Sequence, residues 1–275
     1  MMKKLLFVVL MGLILTSCSQ EDVQLENPRD FSLSVLDNTA NSSMGVYKGT
    51  FAALGSAKRG HVVITVSESA ADATIVFEDN SELNLSGTGS FSSDTSVQTY
   101  RFVSELGSFD FHVNADGTEP RTSVVDIADA MGSIVLAKEF TGTPIRTSTG
   151  RYGCTECGDH PIFNDPNMQS TFVWNAVFVG DGTASSPVLI QVTFADRFFV
   201  STGNLQNPYN KVGSFIYNDM IGEFPFGEEG MINWDATQMF STEGICVDII
   251  GNWDLSTSTF EYEGWLRGDD SCNPL

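Results

Sequence analysis

Apolar and polar side chains alternate from His61 to Ser67, with Val62, Ile64 and Val66 on one face and His61, Val63 and Thr65 on the other. That period of two is the mark of a β-strand with a core on one side. The same rhythm returns at Ala73, Ile75 and Phe77, at Phe109, Phe111 and Val113, and at Phe172, Trp174, Ala176 and Phe178. It continues at Val188, Ile190, Val192 and Phe194, and Phe260 and Tyr262 share a face opposite Glu261 and Glu263. Turn residues separate these runs: Asn114-Ala115-Asp116-Gly117, Gly180-Asp181-Gly182, and Gly251-Asn252 before Trp253. Only Val124 to Met131 has a mild helical pattern. The pattern predicts an all-β, antiparallel, sandwich-like fold.

Breaks in the rhythm divide the chain. Residues 1–17 read as a signal peptide and the polar stretch 18–43 as a flexible tether. A first β domain spans 44–140, residues 141–167 form a linker rich in Pro, Gly and Cys, and a second β domain spans 168–275. A single sandwich with a long crossing loop would give the same pattern.

The first eighteen residues carry the clearest targeting signal. Lys3 and Lys4 precede an apolar run from Leu5 to Leu15, and Leu15-Thr16-Ser17-Cys18 follows. Eleven apolar residues fall short of the ~20 that cross a bilayer. The segment resembles the lipobox of bacterial lipoproteins, and that resemblance implies cleavage before Cys18 and acylation of its sulfur. Ser19, Gln20, Glu21 and Asp22 resemble the export tag of surface-exposed lipoproteins in some Gram-negative bacteria. The implied location is the outer membrane, lipid-anchored on the cell-surface face, with the periplasmic face as the alternative.

Charge narrows the partners. The chain has 14 Lys plus Arg against 35 Asp plus Glu, a formal charge of −21. Such a surface repels nucleic acid. With 41% apolar residues and 20 Phe, the sequence still has ample material for a packed core.

Setting Cys18 aside leaves Cys154, Cys157, Cys246 and Cys272, an even number that favours two disulfides in an oxidising compartment. Three pairings are possible. The most economical joins Cys154 to Cys157 and Cys246 to Cys272, the longer loop contributing roughly 3 to 4 kcal/mol. Cys154-x-x-Cys157 with His160 also resembles a zinc knuckle, but a lone Cys-x-x-Cys outside the cytoplasm is more readily oxidised than metallated, so no metal is assigned.

No nucleophile elbow, zinc-protease helix, P-loop or dinucleotide fingerprint occurs, and no cofactor is implied. The three histidines, His61, His112 and His160, read as surface or bracing residues. Acids and aromatics cluster late in the chain, with Asp219, Glu223, Glu228, Glu229 and Asp235 among Phe224, Phe226 and Trp234, and Trp253 and Trp265 further on. Paired carboxylates suit glycoside hydrolysis, and exposed aromatics suit stacking on sugar rings. The candidate ligand-binding residues are therefore Trp234, Trp253, Trp265, Phe224 and Phe226. The expected function is a non-catalytic binding or adhesion module held to the membrane by its lipid, with a glycan or a surface protein as partner. A polymer-degrading hydrolase and a structural envelope protein without a small ligand are the alternatives.

Overall fold

A computed structural model describes residues 42–89, 96–140, 145–180, 184–212, 215–226, 230–241, 246–257 and 259–269. Residues 1–41 with Cys18, Glu228, Glu229 and Cys272, and the side chains of Phe226 and Cys246, lie outside what is described. The chain is all-β and antiparallel, in two tandem domains.

The first domain is an eight-stranded meander of β1 (Gly45–Ala53), β2 (Arg59–Val66), β3 (Ala71–Phe77), β4 (Glu82–Gly89), β5 (Val97–Ser104), β6 (Gly107–Asn114), β7 (Arg121–Ile127) and β8 (Ala130–Lys138). β1 pairs with β8, from Tyr47 opposite Lys138 to Ala53 opposite Gly132, and the sheet closes into a barrel. An eight-stranded barrel is just wide enough for side chains to fill, and aromatic rings fill this one. Phe102 stacks on Phe109 with centroids 4.9 Å apart, and Tyr47 meets Phe111 edge-on at 4.9 Å. One end is closed by Lys138, which lies over the rings of Tyr47 and Phe140 and donates to the carbonyl of Ser42. The Tyr47 hydroxyl donates to the carbonyl of Ser43 at 2.7 Å. The first described residues are thus pinned to that end.

The second domain comprises β9 (Arg146–Ser148), β10 (Gly150–Glu156), a short helix α1 (Pro166–Gln169), β11 (Trp174–Phe178), β12 (Pro187–Phe194), β13 (Arg197–Val212), β14 (Phe215–Phe226), β15 (Gly230–Ser241), β16 (Cys246–Ser256) and β17 (Glu261–Gly268). β9 and β10, one residue apart, form opposite edges of the sheet, pairing with β11 and β17. The bridge between Arg151 and Val173 continues the β9–β11 register, so this sheet also curls round to meet itself.

Three local expectations are corrected. Val124 to Met131 is not helical; it spans the β7–β8 hairpin, with Asp126 opposite Met131 and Ile127 opposite Ala130. Gly251 and Asn252 lie inside β16, where a Cβ on Gly251 would come within 2.2 Å of the Asp235 carbonyl, so the glycine permits close strand approach. The stretch 141–167 is not all linker, because β9 and β10 lie within it. Their pattern was hidden because Gly150, Gly153 and a buried Thr147-Ser148-Thr149 run occupy positions where bulky apolar residues would advertise a strand.

A register shift opposite Phe109 leaves Val124 in a β-bulge at φ 51°. A β-branched residue in the left-handed region is strained by about 1–2 kcal/mol. Val124 is 64% exposed, so its side chain contributes little packing. Val124→Asn is expected to stabilise the protein by about 1 kcal/mol, seen as a higher urea midpoint at unchanged slope.

The barrels meet along a buried seam where β1, β2 and β8 face β9, β11 and β12. Ala137, Ile145, Val177, Val179 and Leu189 form its apolar part. Inside it, the Asn175 amide donates to the Phe51 carbonyl at 3.0 Å and to Gln191 Oε1 at 2.8 Å. Gln191 in turn donates to the Ser133 carbonyl at 2.9 Å, and Thr50 donates to Gln191 Oε1 at 3.1 Å. β11 and β12 are buried on both faces because one faces their own barrel and the other faces this seam. Nearby, Arg59 clasps Asp269 with Nε at 2.7 Å and Nη2 at 2.5 Å.

Candidate functional site

The second barrel holds an apolar cavity. Near its β12–β13 hairpin end, about 430 Å3 of unfilled space, counted out to the mouth, lies between Phe194, Phe199 and Phe224 on one side and Trp174, Trp234 and Trp253 on the other. Its enclosed part has room for roughly two water molecules.

Glycines set the positions of the tryptophans. Gly203 pairs with Gly222, Gly222 with Trp234, Trp234 with Trp253, and Trp253 with Gly264. A Cβ on Gly203 or Gly222 would stand 2.3 Å from the Trp234 ring, and one on Gly264 would stand 2.2 Å from the Trp253 Nε1. The missing side chains let each indole lie against the barrel wall. Tyr152 donates its hydroxyl to the Thr193 carbonyl at 2.7 Å, and Trp253 donates to the Gly153 carbonyl at 3.0 Å. Trp234 Nε1 reaches Ser201 Oγ at 3.5 Å. The Trp174 indole N–H is buried without a hydrogen-bond partner among the described residues. The accessible wall of the cavity presents no polar atom.

The segment between β10 and β11 plugs this barrel. Phe163 is 2% exposed and packs on Phe194 at 5.0 Å, Trp253 at 5.3 Å and Phe172 at 5.8 Å between centroids. His160 tilts against Phe163 at 4.9 Å, and its Nδ1 accepts from the backbone N–H groups of Ile162 and Phe163, both at 3.3 Å. Burial lowers the His160 pKa, which keeps the ring neutral at pH 7. At the foot of the plug, Cys154 and Cys157 are joined as a disulfide.

The structure redistributes the candidate residues. Trp234, Trp253 and Phe224 are 3%, 5% and 7% exposed and face the interior, so they cannot form the exposed platform their sequence setting suggested. They do meet in one cavity. Trp265 alone of the four lies on the outer wall, 37% exposed. Sequence reasoning missed Trp174, Phe194 and Phe199, although the period of two in β11 and β12 put Trp174 and Phe194 on a core face. The acids Asp219, Glu223 and Asp235 point outward, alternating with the interior residues of β14 and β15. Partial burial and then Asp254 raise the Asp235 pKa. His112 bridges Thr99 and Ser123 across three strands of the first barrel, which fits the expected bracing role. His61 is buried at the seam, its Nδ1 2.7 Å from Thr147 Oγ1.

These features define a class: a double β-barrel whose second barrel holds an apolar cavity. No protein-family model and no curated protein sequence matches the chain. Among solved structures it is similar to the crystal structure of kievitone hydratase from Nectria haematococca, at 10% identity and a TM-score of 0.26, over 84% of this chain and 90% of that one. So low a score leaves the assignment to the chain's own residues.

Proposed function

We propose that this is a lipid-anchored envelope protein, held through Cys18 at the cell-surface face of the outer membrane, whose second barrel binds a small uncharged apolar ligand without catalysing a reaction on it. The observation that carries the binding reading is the apolar, ring-lined cavity of the second barrel. Apolar cavities stay dry and take up hydrocarbon-like guests. Phe194 and Phe199, the part-buried residues of the cavity lining, flank the β12–β13 hairpin. Asp219, Glu223 and Asp235 lie on the outer wall, away from the cavity, and among the described residues this favours binding over hydrolysis. The anchor reading rests on the signal and lipobox pattern; two or more acyl chains at ~0.8 kcal/mol per buried methylene hold a protein to a bilayer.

Both barrels belong to one compact unit, Ser32–Leu275, so the chain from Ser19 onward serves as a soluble test protein. Three of the four tryptophans line the cavity. Titration with 1-aminoanthracene is expected to give saturable one-to-one binding with quenched tryptophan emission. Val192→Phe, which puts a ring into the cavity wall, is expected to weaken it at least tenfold. A linear, non-saturating response, or unchanged affinity in Val192→Phe, would refute the reading. In the full chain, Cys18→Ser is expected to move the protein from the membrane to the soluble fraction.

A further inference from the structure

On the outer wall of the second barrel, β14 to β17 and β10 place Ile221, Asp235, Asn252, Trp265 and Gly153 opposite one another in a single cross-strand row. Along β17, Trp265 stands between Glu263 and Arg267. Asp254 and Ile250 of β16 flank Asn252 on the same face. A Cβ on Gly153 would fall 2.5 to 2.7 Å from three atoms of the Trp265 indole, so the ring lies down on the β10 backbone with one face covered. Trp265 remains 37% exposed, and the guanidinium of Arg267 lies over the ring 6.0 Å from its centroid, at the outer limit of a cation–π contact.

We infer that this surface, separate from the apolar cavity, is a carbohydrate-binding platform on which Trp265 stacks against the C–H face of a neutral pyranose while Asn252, Asp235 and Arg267 take its hydroxyls. The composition selects this occupant. A pyranose presents an apolar face ringed by hydroxyls that both donate and accept, and it meets here one flat aromatic ringed by an amide, carboxylates and a guanidinium. Protein interfaces deplete charged residues at their centre, whereas Asp235, Asp254, Glu263 and Arg267 crowd round this indole. The excess of carboxylates disfavours acidic sugars. The exposed Ile221 (47%) and Ile250 (52%) leave apolar room for a neighbouring sugar unit.

The test is calorimetric titration of the chain from Ser19 onward with cellotetraose and chitotetraose, beside tetragalacturonate as an acidic sugar. Saturable binding of at least one neutral tetrasaccharide is expected. Trp265→Ala should weaken it tenfold or more and Asn252→Ala about fivefold. Both variants should still melt cooperatively and keep the parent 1-aminoanthracene affinity, which separates this site from the cavity. Binding of no neutral tetrasaccharide, full affinity in Trp265→Ala, or a Trp265-dependent dimer in sedimentation would each overturn the inference, the last assigning the surface to a second copy of the chain.

Discussion

Arg59→Met is expected to lower stability at pH 7 by about 2 to 3 kcal/mol, read as a fall in the urea midpoint. Removing one partner of a buried pair typically costs ~3–5 kcal/mol because the other charge is left unpaired. Arg59 is 8% exposed at the side chain, but Asp269 keeps 28%, and solvent screening brings the figure down. Asp269 would then hold only Thr149, whose hydroxyl donates at 2.7 Å. Replacing both partners, Arg59→Met with Asp269→Leu, should recover much of the loss.

The same pair predicts a pH dependence. Burial alone would raise the Asp269 pKa, but hydrogen bonds from Arg59 and Thr149 and the Arg59 charge bring it below its usual value. A depressed carboxyl contributes stability above about pH 4 that is lost as pH falls through its folded pKa. Burial lowers the His61 pKa, with Asp269 opposing, so the unfolded chain takes up that proton first. His61 therefore erodes stability as pH falls below about 6.5, and Asp269 adds to the loss below about 4. In Arg59→Met the lone carboxyl protonates more readily than in the parent, so the gap between the two proteins should narrow as pH falls. A gap constant from pH 7 to 3 would contradict this account.

Phe163→Ala is expected to cost about 3 to 5 kcal/mol, the usual penalty for deleting a buried phenylalanine. The ring packs against His160, Phe172, Phe194, Trp253 and Tyr262 and also lines the cavity. The vacated volume joins the existing cavity, so 1-aminoanthracene should bind Phe163→Ala more tightly than the parent even as the unfolding midpoint drops. Phe163→Leu should fall between the two on both measurements. Lower stability with unchanged probe affinity would mean that the plug does not border the cavity.

In the first barrel β2, β3 and β6 were legible from sequence, because Val62, Ile64 and Val66, Ala73, Ile75 and Phe77, and Phe109, Phe111 and Val113 fall at every second position, whereas the β7–β8 hairpin read as helical. Legibility also failed where the opposite face was not water. β9 has no such contrast because Thr147 and Ser148 are buried at the seam, and β10 loses its outward signal at Gly153, covered by Trp265. For the site, sequence identified aromatic residues in the right strands but not which way they faced. Trp234 and Trp265 look equivalent as letters between acids, yet one sits on an inward position of β15 and the other on an outward position of β17.

By itself the sequence determined the antiparallel β class, which follows from periodicity, and favoured two tandem domains and the Cys154–Cys157 pairing over alternatives that local spacing left open. Closure of each sheet, the polar seam, and the separation of three interior tryptophans from the outward Trp265 were decided only in three dimensions. Pairings such as β1 with β8, or Arg59 with Asp269, join residues dozens to hundreds of positions apart, and no local pattern records which distant strand will supply the missing neighbour.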